Sequence, residues 1–92
     1  MPKVRPLTQR ERDTQVIENE IQRVSKDLLT IIGERRGRDD IDRGEMAEFI
    51  GISRSAFYHW RNGGLPVAKF GQVVAASRKL GYRVVFEPIA GK

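Results

Sequence analysis

The 92 residues contain no cysteine, one histidine and one tryptophan. Without cysteine there are no disulfides, no thiolate nucleophile and none of the usual cysteine-containing structural zinc sites, and such a composition fits a reducing interior. The single histidine, His59, has no partnered nucleophile in the pattern around it, and Asp39, Asp40 and Asp42 sit in one charged stretch with no second cluster to oppose them. "RNGGLP", residues 61–66, lacks both the preceding strand and the following lysine of a phosphate-cradling loop. No enzyme, catalytic residue, cofactor or metal is expected. Long hydrophobic runs are missing too. No stretch approaches the length that spans a bilayer, and "MPKVRPLTQRER" has no hydrophobic segment of a secretion signal, so a cytoplasmic protein with no membrane partner is expected.

What is abundant is positive charge. Seventeen Lys and Arg against twelve Asp and Glu leave a net charge of +5, the electrostatic footprint of a polyanion binder. Net charge speaks to association rather than to fold, so the spacing of residues must carry the rest. The length suits one small domain with a modest core.

Residues 1–7, with two prolines and the cations Lys3 and Arg5, are expected to form a flexible basic arm. Thr8 and Glu11 make a capping-box pattern, so a helix should start there. Ile17, Ile21, Val24, Leu28 and Ile31 then recur in steps of four and three, one stripe along a helix ending near Gly33 or Gly37. Such a stripe either faces a core or forms a seam with a second chain. "GERRGRDDIDRG", residues 33–44, is expected to be a solvated loop with at most a helical turn near Asp39 to Ile41. A short helix follows around Glu45 to Ile50, ended by Gly51, and Ser53 caps another that "NGG" stops after Arg61. Pro66 is expected to open a last helix reaching Gly81, with Val67, Phe70, Val73, Val74 and Leu80 in the core. "YRVVFEP", residues 82–88, is β-branched and aromatic, so a strand is expected there, and such a strand needs a partner from a second subunit.

Two short helices around a tight glycine turn, "GEMAEFIGISRSAFYHWRNG", have the form of a helix-turn-helix. Ala47 is small where the helices would cross, and Gly51 lies where the chain must turn. Met46, Ile50, Ile52, Phe57 and Trp60 would line the inner face. The helical period then turns Arg54 with Tyr58, and Ser55 with His59, to the outer face. That face suits a DNA major groove, where Arg can take a guanine through two hydrogen bonds.

This stretch resembles the Xre-like helix-turn-helix family of phage Cro and repressor proteins, well over residues 43–63 and more loosely over 20–81. The resemblance implies a mainly α, lambda-repressor-like bundle of four to five helices, here with a long amino-terminal helix and a short carboxy-terminal β-strand. It implies base contacts from Ser53, Arg54, Ser55 and His59, with Tyr58 added by geometry, and a phosphate contact from Asn62. Arg61, Lys69, Lys3 and Arg5 are further candidates for the DNA backbone, and Arg78 and Lys79 could also touch phosphate. The chain departs from the family pattern in its long first helix, in the charged stretch before Glu45 and in the aromatic Trp60.

The expected function is a sequence-specific transcriptional regulator of double-stranded DNA, a homodimer whose two recognition helices, residues 53–61, reach successive major grooves. With no effector domain in these residues, occupancy by mass action is expected. The alternative is an antitoxin-like interaction module that docks a partner protein through the long helix or the carboxy-terminal strand.

Overall fold

In the computed structural model, which describes residues 5–91, the chain folds as four α-helices. They are α1 (Gln9–Asp39), α2 (Arg43–Ile50), α3 (Arg54–His59) and α4 (Phe70–Lys79). A wide turn (Trp60–Gly64) and a 3₁₀ turn (Leu65–Val67) connect α3 to α4.

Helix α1 starts where the capping box places it. The Glu11 amide donates to Thr8 Oγ1 at 3.1 Å, and the Glu11 carboxylate accepts in return from Thr8. Contrary to expectation, neither Gly33 nor Gly37 ends the helix. Each interior glycine costs about 1 kcal/mol relative to alanine, yet Ile32 is buried and Arg35 both pairs with Asp39 and lies over the Phe49 ring, 5.2 Å from its centre. Those contacts hold the last two turns in place. The helix ends on Asp40, left-handed at φ 51, and Ile41 donates back to the Arg36 carbonyl.

The same ending recurs at Gly51 (φ 82) after α2 and at Gly81 (φ 90) after α4. Ile52 donates to the Ala47 carbonyl, and Tyr82 to that of Ser77. Asp42 Oδ1 caps α2 by accepting from the Glu45 amide at 2.8 Å, and Ser53 Oγ caps α3 by accepting from Ala56 at 3.0 Å. After α3, Gly63 takes φ 95, and a Cβ on Gly64 would lie 2.7 Å from the His59 carbonyl oxygen. "NGG" therefore stops the helix through conformation at one glycine and space at the other.

The core comprises Leu28, Ile32, Met46, Ala47, Ile50, Phe57, Trp60, Leu65, Ala76 and Leu80. Ala47 is 1% exposed, and Met46, Ile50, Phe57 and Trp60 close over it from α2 and the α3 region, with Ile52 packed at the edge. Among the described residues, no buried apolar side chain precedes Leu28. The first half of α1 therefore projects, leaving Ile17 59%, Ile21 40% and Val24 48% exposed. The radius of gyration is 16.7 Å, against about 12 Å for a compact domain of this length.

Two further expectations are corrected. The last helix starts at Phe70 rather than Pro66, because Pro66 sits in the 3₁₀ turn anchored by buried Leu65, and Ala68 and Lys69 are extended. Val67 and Phe70 consequently lie outside the core, 87% and 66% exposed, while Val73 and Val74 are half-buried and Leu80 is buried. Residues 82–91 form no strand: among the described residues there is no second strand to supply the hydrogen bonds that a lone one needs.

Candidate nucleic-acid interface

The outer face of α3 follows directly from its inner one. With Phe57 and Trp60 buried, the helical period leaves Ser53, Arg54, Ser55, Tyr58 and His59 exposed. The Tyr58 and His59 rings meet edge to face, their centres 6.1 Å apart. The Ser53 hydroxyl oxygen accepts the α3 cap bond, which leaves its hydrogen free to donate.

Arg54 is exposed, but its guanidinium lies back over Gly44: a Cβ there would meet Nη2 at 2.8 Å and Nε at 3.0 Å. The glycine makes room for the arginine. The Asp42 carboxyl is held below its ordinary range, first by the Glu45 amide that it caps and also by the Arg54 charge. Asp42 thus offsets part of the misfit of a cation at the start of α3, where the helix dipole disfavours one. Reaching a base edge requires Arg54 to swing away from α2.

Sequence reasoning missed the group around this arginine. Arg36 near the end of α1, Arg43 opening α2, Arg54 opening α3 and Arg61 after α3 converge around Gly44. They line two adjoining shallow cavities of about 360 and 240 Å³, with Tyr58 on the rim. Burial lowers the proton affinity of Arg61, and the charges of Arg43 and Arg36 lower it further. None of the four makes an ion pair among the described residues, whereas Arg5, Arg23, Arg35 and Arg38 each have a carboxylate partner. Two signals point to the missed pair. Arg36 continues the four-residue spacing of Leu28 and Ile32, and Arg43 follows Asp42 in a cap pattern completed by Glu45.

The other expected backbone contacts divide. Arg61 joins the group. Asn62 donates from Nδ2 to the Tyr58 carbonyl at 2.8 Å, closing the end of α3 and keeping one N–H in reserve. Lys69 is exposed at the start of α4, where no side chain caps the helix. Arg78 and Lys79 are exposed in the last turn of α4, where they suit the dipole. Arg5 is not brought to α3. It pairs with Glu11 at 3.0 Å, on a helix whose rise puts residue 11 about 25 Å along the axis from Leu28, the first buried apolar side chain. Lys3 lies outside the described residues.

Comparison of the chain with known protein families, with characterised proteins and with solved structures finds no match. Among the described residues, no helix is long and apolar enough to cross a membrane, and no three His, Asp or Glu side chains gather as a metal site would require.

Proposed function

We propose that this chain is a sequence-specific double-stranded DNA-binding regulator of transcription, of the Xre-like type, acting as a homodimer in the cytoplasm. One observation carries the proposal: four guanidiniums outside any ion pair among the described residues, from α1, α2, α3 and the turn after α3, collect beside a short helix whose exposed side chains each carry a polar group. Asp42 lines the same cavity, but four arginines outnumber that carboxylate and repel one another in the free protein. A phosphodiester chain relieves that repulsion and releases its own counterions on binding. Arg36, Arg43 and Arg61 fit the phosphate role, because they come from the elements that flank α3. Ser55, Tyr58 and His59, with Arg54 once it leaves Gly44, fit base edges in the major groove.

Selection of bound sequences from a random duplex library, at near-physiological salt and with Arg54→Ala beside the wild type, tests this proposal. An enriched palindrome is expected. Loss of Arg54 should cost about 1–3 kcal/mol on that site and relax preference at one position of each half-site. Equal loss on selected and random DNA would remove Arg54 from base reading, and no enrichment at all would leave a non-specific basic protein.

A second reading, a module that binds a partner protein, is favoured by the exposure of Ile17, Ile21 and Val24 on α1. It requires a chain that is monomeric alone and associates only with that other protein.

A further inference from the structure

Very little holds Arg54 in its resting place. Its guanidinium lies against Gly44, and among the described residues it makes no hydrogen bond and no ion pair. The Asp42 charge attracts it, while Arg36, Arg43 and Arg61, which line the same cavities, repel it.

The seat exists because residue 44 has no side chain. A Cβ there would stand 2.8, 2.9 and 3.0 Å from Arg54 Nη2, Cζ and Nε, where ordinary contact needs about 3.5 Å. Gly44 is the second residue of α2 and does not have a positive φ, so its backbone conformation is open to any residue. Alanine would suit the helix better at that position. What the glycine supplies is room for the guanidinium.

In this seat Arg54 lines both shallow cavities, one with Arg36 and Arg43, the other with Arg43 and Arg61. There it is a fourth cation of the phosphate group. Swung outward, it joins Ser55, Tyr58 and His59 on the exposed face of α3. The two positions exclude each other, since one guanidinium cannot occupy both. A guanine edge offers it two hydrogen bonds and the seat offers none, so guanine draws the side chain out. A duplex without guanine at that step leaves it among the phosphates.

We infer that Arg54 has two stations on DNA: over Gly44 as a phosphate ligand on random sequence, and outward on guanine at the operator, with Gly44 setting the balance between them. Gly44 is thus a positioning residue that sets specificity through Arg54. The inference rests on the DNA-reading proposal above and adds to it the residue that governs non-specific binding.

Gly44→Ala tests it, alone and combined with Arg54→Ala. Evicting the guanidinium removes one phosphate contact per copy from random duplex, so the salt slope there should fall by about 0.9 and the affinity at about 0.15 M salt roughly fivefold. On the duplex selected with the wild type, slope and affinity should not fall. The specificity ratio therefore rises. In the Arg54→Ala background, the glycine substitution should alter binding to neither duplex. Equal losses on both duplexes, or an effect that persists without Arg54, would overturn the inference. The melting temperature should stay level or rise, and a clear drop would overturn it too, because the glycine would then serve the fold.

The seat itself is read without DNA. Nitrogen relaxation of the Arg54 Nε–H group should report an ordered side chain in the free wild type and a mobile one in Gly44→Ala. Equal mobility in both proteins, beside an enriched sequence, would overturn the seat and leave the regulator standing. An ordered Arg54 with no enriched sequence would overturn the regulator and the outward station together.

Discussion

Replacing Arg43 and Arg61 together with alanine should flatten the salt dependence of DNA binding by a calculable amount. Each phosphate neutralised contributes about 0.9 to the slope of log affinity against log salt. With Arg36, Arg43 and Arg61 all on phosphate, this group makes a doubling of salt cost roughly sixfold per copy, and with Arg36 alone about twofold. The measurement is fluorescence anisotropy of a labelled duplex between about 50 and 300 mM sodium chloride. Charge alone would also weaken binding, so the comparison is a matched variant, Arg23→Ala with Arg38→Ala, which removes two arginines already paired with carboxylates. That control should leave the slope close to wild type. A slope that falls equally in both variants, or in neither, would refute the assignment of the unpaired group to phosphate. The melting temperature separates this effect from damage to the fold, because removing Arg61 relieves repulsion from Arg36 and Arg43 and should not lower it.

Trp60, 3% exposed, should cost about 3–5 kcal/mol as alanine in chemical denaturation, and a loss under about 1 kcal/mol would mean that it does not close the core. Lys69→Asp should raise stability by about 1 kcal/mol by capping α4 while weakening binding to all DNA sequences alike, and unchanged affinity would remove Lys69 from the phosphate contacts. Asp39, Glu11 and Asp42 are all held below their unfolded range, by the Arg35 hydrogen bond, the Thr8 hydroxyl and the Glu45 amide respectively. Their stabilisation is therefore complete above the unfolded carboxylate range and is lost as pH falls from that range down through their lowered folded values, so the melting temperature should drop on acidification, and Asp42→Asn should make that drop shallower.

Local chemistry was readable in the chain wherever one residue type has one strong reason to stand at one place. Thr8 with Glu11, Gly51, Ser53 and the two glycines after Asn62 mark element ends, and Met46, Ile50, Phe57 and Trp60 fall on one side by helical period alone. Whatever depended on contacts between distant residues was not readable. Gly33 and Gly37 carry every local mark of a helix end, but burial of Ile32 and the seat of Arg35 on Phe49 outweigh them. Phe70 fits a core stripe until the preceding 3₁₀ turn displaces the helix start. Residues 82–88 have the composition of a strand, and composition cannot provide the neighbour. The candidate site divides in the same way. The outward set on α3 follows from periodicity, whereas the clustering of Arg36 and Arg43 with Arg54 and Arg61 depends on how three helices meet.

Because α1 runs unbroken from the projecting Ile17–Ile21–Val24 stripe to the arginines at its far end, it has no slack. In a dimer joined at that stripe, the distance and rotation between the two α3 faces would be fixed by a rod rather than by a tether. Each inserted base pair turns one half-site relative to the other by about a tenth of a turn of the duplex. A flexible linker would absorb such a change, but a continuous helix passes it on as misalignment. The length of α1 would thereby act as a ruler, selecting operators by phase as well as by sequence.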